Sequence, residues 1–213
     1  MAKKSRTPTP PRGVQAPSAR HDPSQRRDPR RTRLVLIGAG GVAAVAAVVV
    51  VLVLVLGGGG LSDTLAAAGC TNQTFPSQGR NHVDVLPKGF HYNSFPPTSG
   101  PHNPQPAIWN IYEEPVRQVY LVHSLEHGGI VVQYGDQVPR ETIDAIEQWY
   151  AGDRNGVIVA PLPALKDKIA IEAWTHLATC TSFDAKAYDA FRDAYRFQGP
   201  EKLPLENMVP GAA

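Results

Sequence analysis

An α+β domain held outside a membrane by one N-terminal transmembrane helix is the fold class this sequence predicts, on three observations. Residues 34–56 form an unbroken run of 23 apolar or small residues with no ionisable side chain. Beyond it, short Val/Ile-rich runs alternate with two stretches whose apolar residues recur at helical spacing. The two cysteines of the chain, Cys70 and Cys180, bracket most of that outer region. A composition of 42% hydrophobic and 19% charged residues excludes fibrous, collagen-like and wholly disordered classes.

The net charge of +2 hides an asymmetry. Residues 1–33 carry ten Lys/Arg against two Asp, which leaves eleven basic and seventeen acidic residues for the rest of the chain. This Arg/Pro/Ser-rich tail cannot bury a core and is expected to be disordered and cytoplasmic. The 34–56 run, wound as a helix, is roughly 35 Å long and crosses a hydrocarbon core of about 30 Å. It exceeds the roughly 7–15 apolar residues of a signal peptide, so it reads as an uncleaved anchor. Arg26, Arg27, Arg30, Arg31 and Arg33 crowd its N-terminal flank, and Asp63 is the first charge after it. The positive-inside rule then gives a single-pass plasma-membrane protein with residues 57–213 extracytoplasmic. The lipid bilayer is its expected partner and an envelope protein a further one; the acidic outer domain argues against nucleic acid.

Residues 57–69, opening with Gly57–Gly60, read as a flexible linker, residues 70–201 as the globular domain and residues 202–213 as a C-terminal tail. Outside the cytoplasm a Cys70–Cys180 disulfide is expected, worth up to roughly 4–5 kcal/mol by loop entropy. Cys70 to Glu114 is dense in Pro, Gly, Asn and Ser and reads as an irregular arm. Val116–His123 and Gly129–Tyr134 read as the strands of a hairpin. Pro139–Gly152 follows as an amphipathic helix, with Ile143, Ile146, Trp149 and Tyr150 on one face. Val157–Ala160 and Ile169–Leu177 read as strands, and Asp184–Phe197 as a helix capped by Ser182 and ended by Gly199-Pro200. The order ββαββα predicts a small antiparallel sheet with both helices on one face, the element order of a ferredoxin-like fold begun at a different strand.

Six histidines lie beyond the apolar run, five of them between His82 and His127. Imidazole is a common metal ligand, so the clustering points to a site for Zn²⁺ or Cu²⁺ with His102, His123 and His127 as ligands and His82 as the fourth. Cu⁺ is disfavoured because the only methionines are Met1 and Met208 and the cysteines are expected to pair. His123-Ser-Leu-Glu126-His127 has the H-x-x-E-H spacing of inverted zinc peptidases, but it follows an expected strand and is cut off by Gly128-Gly129. Glu126 is then a ligand or a partner to an imidazole N–H; in a metal-dependent hydrolase it would be the general base. His91, beside the Tyr92–His102 loop, and His176, on an expected core strand, are further candidates. Ser99 lies in no strand–elbow–helix context, which argues against a serine hydrolase. A non-catalytic envelope scaffold, with the histidines bonded to loop backbone, is the remaining reading.

The outer region resembles the bacterial family known as domain of unknown function 3105. The resemblance rests on Phe75–Val83 (FPSQGRNHV), Tyr92–His102 (YNSFPPTSGPH), Leu121–Tyr134 (LVHSLEHGGIVVQY), Ala173-Trp174 with His176, Thr179-Cys180 and the closing Gly199-Pro200-Glu201. Phe95 and Thr175 stand where the family pattern more often has Asn and Gly. The resemblance implies a membrane-tethered extracytoplasmic domain and no particular activity.

Overall fold

A computed structural model describes residues 60–212. The expected tail 1–33, the expected transmembrane helix 34–56 and Gly57–Gly59 lie outside the described residues. Among the described residues no helix is long and apolar enough to cross a membrane.

The domain is α+β, with four helices and one five-stranded sheet among the described residues. In chain order these are α1 (Leu61–Ala67), β1 (Cys70–Thr74), α2 (Gln118–Glu126), β2 (Ile130–Tyr134), α3 (Arg140–Gly152), β3 (Val157–Pro161), β4 (Ile169–Ala173), β5 (His176–Cys180) and α4 (Ala185–Tyr195). Short 3₁₀ turns occupy Pro163–Leu165 and Leu205–Asn207. The strands lie in the order β1-β5-β4-β2-β3. β2 and β3 pair parallel while the other pairings are antiparallel, so the sheet is mixed, a correction to the antiparallel expectation. The parallel pair is joined through α3, the kind of crossover that parallel neighbours require.

The ββαββα reading fails at its first element. Val116–His123 is not a strand, because Gln118–Glu126 is helical. Its Val and Tyr residues favour strands, but Leu121, Val122 and Leu125 bury one helical face completely, and packing overrides propensity. The helix ends where Gly128, at φ 87, supplies the left-handed residue of a Schellman cap: Gly128 N–H donates to Leu125 O (2.9 Å) and Gly129 N–H to Ser124 O (3.0 Å). The run Ile169–Leu177 is in fact a hairpin, folding at Trp174-Thr175 into β4 and β5. Thr175 has φ 65, the region that favours the glycine of the family pattern.

Alternation along the strands makes two buried faces. Ile130, Val132, Val157, Val159, Ile169 and Ile171 pack against Ile146 and Trp149 of α3, Tyr188 and Phe191 of α4, and Leu65 of α1. The opposite face puts Val131 and Ile158 against Leu121 and Leu125 of α2, so the helices cover both faces, not one. Cys70 and Cys180 face each other in the β1–β5 register and are joined by the expected disulfide. β1 itself lies in what reads as an irregular arm, since CTNQT is polar at every position but its first.

Three boundaries also change. Leu61–Ala67 is helical and buries Leu65 against the sheet, so the folded part begins inside the expected linker. The expected tail is anchored in turn: Met208 is fully buried, its carbonyl accepts Gly156 N–H at 2.7 Å, and Trp109 N–H donates to Ala212 O at 2.9 Å. α4 is capped by Asp184, whose Oδ1 accepts Ala187 N–H at 2.8 Å, rather than by Ser182, and it ends at Tyr195, before Gly199.

Candidate metal centre

The arm between β1 and α2 has little regular structure, yet backbone hydrogen bonds fix its path. Val83 N–H donates to His102 O (2.7 Å) and His102 N–H to Asn81 O (3.0 Å), a short parallel bridge that sets His82 beside His102. Asn103 and Ala107 N–H donate to Val119 O and Tyr120 O, lashing the arm to the first turn of α2. Every residue from Pro96 to His102 is buried, and Ser99 Oγ accepts Gln78 N–H at 3.2 Å, a loop staple. The far end of α2 is held by the Gly-Pro-Glu block. Glu201 N–H donates to Glu126 O at 3.1 Å, and Gly199 lies so close to the Glu126 carbonyl and the Gly128 backbone that no Cβ fits there.

These restraints converge four side chains. One ligand atom from each of His82, His102, His123 and Glu126 lies within 4.8 Å of every other. Glu126 Oε2 is 3.0 Å from His102 Nε2 and 3.3 Å from His82 Nε2. The His82 and His123 rings stack at 4.7 Å between centroids, with His102 edge-on to both. His102, His123 and Glu126 are buried; the His82 side chain is 44% exposed and marks the open edge.

The hydrogen bonds fix the tautomers. His102 Nδ1 is 2.8 Å from Gly100 O, and His123 Nδ1 is 2.7 Å from Asn103 O. A carbonyl only accepts, so Nδ1 carries the proton in both rings and a neutral ring leaves its Nε2 lone pair for the cluster. With His102 neutral and Glu126 ionised, His102 Nε2 and Glu126 Oε2 face each other as two acceptors, an arrangement that a cation between them satisfies. Burial pulls His123 below its ordinary range; the Asn103 carbonyl works against this, and the surrounding imidazoles add to it. A divalent cation satisfies all four groups at once, so the donor set fits a metal such as Zn²⁺ or Cu²⁺.

His127, expected as a ligand, is not in this group. Its ring lies 4.6 Å from that of His123, and burial lowers its proton affinity while Glu201 and Glu126 oppose the shift. The H-x-x-E-H segment is thus helical after all, but the residues that converge are His123 and Glu126, three apart on one face. His91 is exposed and only its carbonyl is engaged, by Gln78 Nε2 at 3.0 Å. His176 stacks on Tyr195 at 4.0 Å and bonds to Thr74 Oγ1 at 3.1 Å, on the other face of the sheet. Two residues escaped the sequence reading. Trp174 meets His102 edge-on at 6.3 Å, and Arg80 Nε lies 3.8 Å from Glu126 Oε1. Arg80 was legible in principle, being two residues before His82 in an extended segment and so on the same side of it. An open groove of about 370 Å³, lined by Tyr112, Glu113, Tyr134, Arg140 and Glu147 among others, shares no residue with the cluster.

Fold and site together define a mixed-sheet α+β domain with a His₃Glu cluster between an irregular arm and one helix. The chain belongs to the family described as protein of unknown function (DUF3105), which matches residues 85–207, more than half of its length. The matched stretch includes His102, His123 and Glu126 and begins just past His82. No curated protein and no solved structure matches the chain.

Proposed function

We propose that this protein is a membrane-anchored, extracytoplasmic metal-binding protein. His82, His102 and His123 bind one divalent ion, zinc or copper, through Nε2, and Glu126 binds it through its carboxylate. The anchor is the 34–56 segment, and the charge asymmetry around it favours an outer location. The observation that carries the metal reading is the buried acceptor pair, His102 Nε2 against Glu126 Oε2 at 3.0 Å, with His102 Nδ1 already committed to Gly100 O. A cation between them satisfies both acceptors, each of which would cost about 1–3 kcal/mol if left buried without a partner. Glu126 shared between two imidazoles favours a ligand over a general base, since a base must face the water it activates.

The test is elemental analysis of the full chain, purified in detergent without a polyhistidine tag. About one equivalent of zinc or copper per chain is expected, falling to background in the His102→Ala/His123→Ala double variant. Failure to retain either ion after reconstitution would overturn the reading.

A further inference from the structure

Three members of the cluster are buried, and a positively charged side chain stands beside Glu126. His102, His123 and Glu126 are at most 4% exposed, whereas the side chains of His82 and Arg80 are 44% and 52% exposed and form the solvent edge. Arg80 meets the cluster only through Nε, in an ion pair 3.8 Å from Glu126 Oε1, and its guanidinium makes no hydrogen bond among the described residues. Glu126 therefore presents Oε2 to the imidazoles and Oε1 to the guanidinium. A divalent ion brings two positive charges and Glu126 removes one; Arg80 restores the second at the entrance. A centre with that excess, opening beside a planar donor fork, is complementary to an anion with two oxygens in one plane.

We infer that the solvent edge of this centre binds an oxyanion of the carboxylate or phosphate class, one oxygen on the metal as a fifth ligand and another on the Arg80 guanidinium. The inference rests on the metal reading above and adds the chemistry of the exchangeable ligand. Arg80 is a binding residue for that ligand and is not a metal ligand itself. His82 faces the same edge through its exposed ring, so a bound anion would lie between the guanidinium and His82, over Glu126.

The experiment uses the full chain in detergent loaded with Co²⁺, whose visible absorption reports its ligands, titrated with inorganic phosphate and in parallel with acetate. A saturable spectral change is expected with at least one anion. Arg80→Ala should weaken that anion about tenfold or more, the scale of one hydrogen bond to a charged group, and leave Co²⁺ affinity within about threefold. Arg80→Lys, which keeps the charge and loses the fork, should fall between the two. A response to phosphate alone or to acetate alone identifies which class the edge takes. A cobalt spectrum that neither anion perturbs, or an anion affinity unchanged in Arg80→Ala, would overturn the anion site and leave the metal centre standing. Absence of any cobalt spectrum would overturn the metal centre and this inference with it.

Discussion

On one face of the sheet, Ile130, Val132, Ile169 and Ile171 meet Tyr188 and Phe191 of α4 and Ile146 of α3 in a continuous apolar layer. On the other, Val131 shares its strand face with Gln133, and Glu172 of β4 is fully buried opposite Val131. Every buried histidine lies on that second side, together with Thr98, Ser99 and Ser124 of the arm and α2, and its apolar contacts split into two separate clusters. The first face contributes the hydrophobic stabilisation expected of a small domain. The second gives up part of that stabilisation to hold polar groups in fixed positions, a pattern found where a site is built rather than where a core is filled.

The sharpest way to break the comparison is to damage the apolar face alone. Phe191→Ala should lower the unfolding free energy by about 3–5 kcal/mol, the range for a buried aromatic. Phe191→Leu should cost less than half of that. Metal per folded chain, measured well below the melting temperature, should match the parent in both. Loss of metal in a chain that is still folded would show that the two faces are not separable.

A smaller effect of opposite sign is expected across the sheet. Both carboxylate oxygens of Glu172 and both amide atoms of Gln133 lack hydrogen-bond partners among the described residues. Burial holds the Glu172 carboxyl well above its ordinary value of 4.5. A carboxyl whose folded-state affinity for its proton is raised stabilises fully below its unfolded value and loses that contribution as pH rises, because the unfolded chain ionises first. Glu172→Gln should therefore match the parent near pH 4 and become more stable from about pH 5 upward, by about 1–3 kcal/mol at pH 7. Paired denaturant melts at pH 4, 5.5 and 7 measure this; a gap that does not widen with pH would mean Glu172 is ionised and partnered in the fold.

Legibility from the sequence follows the same division. α3, β2, β3 and α4 were readable because their apolar residues keep the period of a helix or the length of a buried strand, as Ile143, Ile146, Trp149 and Tyr150 do. The Cys70–Cys180 pair was readable from the count of two cysteines together with the expected outer location. α2 was misread because Val119, Tyr120 and Val122 satisfy strand propensity, and only the partner of Leu121 and Leu125 across the sheet decides the matter. The site was legible as a list of residue types, and three of the expected ligands, His82, His102 and His123, converge. Which histidine would drop out depended on Gly128 ending the helix one residue after His127 and on the His82–His102 bridge. Both are long-range or conformational facts that spacing does not carry.

The smallest expected effect is in pH, and it separates the faces by the window in which each weakens. Burial lowers the proton affinity of His123 and His127 below the ordinary 6.5. The unfolded chain then binds protons that the fold excludes, so their contribution to stability is complete above about pH 6.5 and is lost as pH falls below it. On the apolar side, Asp153 sits below its ordinary 3.8 because Arg196 donates to it, with Arg192 adding to the shift. Its contribution holds above that value and is lost only as pH falls through the lowered one. Chelator-treated protein should therefore lose stability between pH 7.5 and 5.5, read as a melting temperature that falls across that interval. Trp174, edge-on to His102, and Trp149, which is hydrogen-bonded to Asp189, report the two sides separately. In variants retaining one or the other tryptophan, Trp174 emission should change across that interval before global melting while Trp149 emission stays level. Parallel changes in both, or a melting temperature that is flat between pH 7.5 and 5.5, would show that the buried imidazoles are not what makes the second face the weaker one.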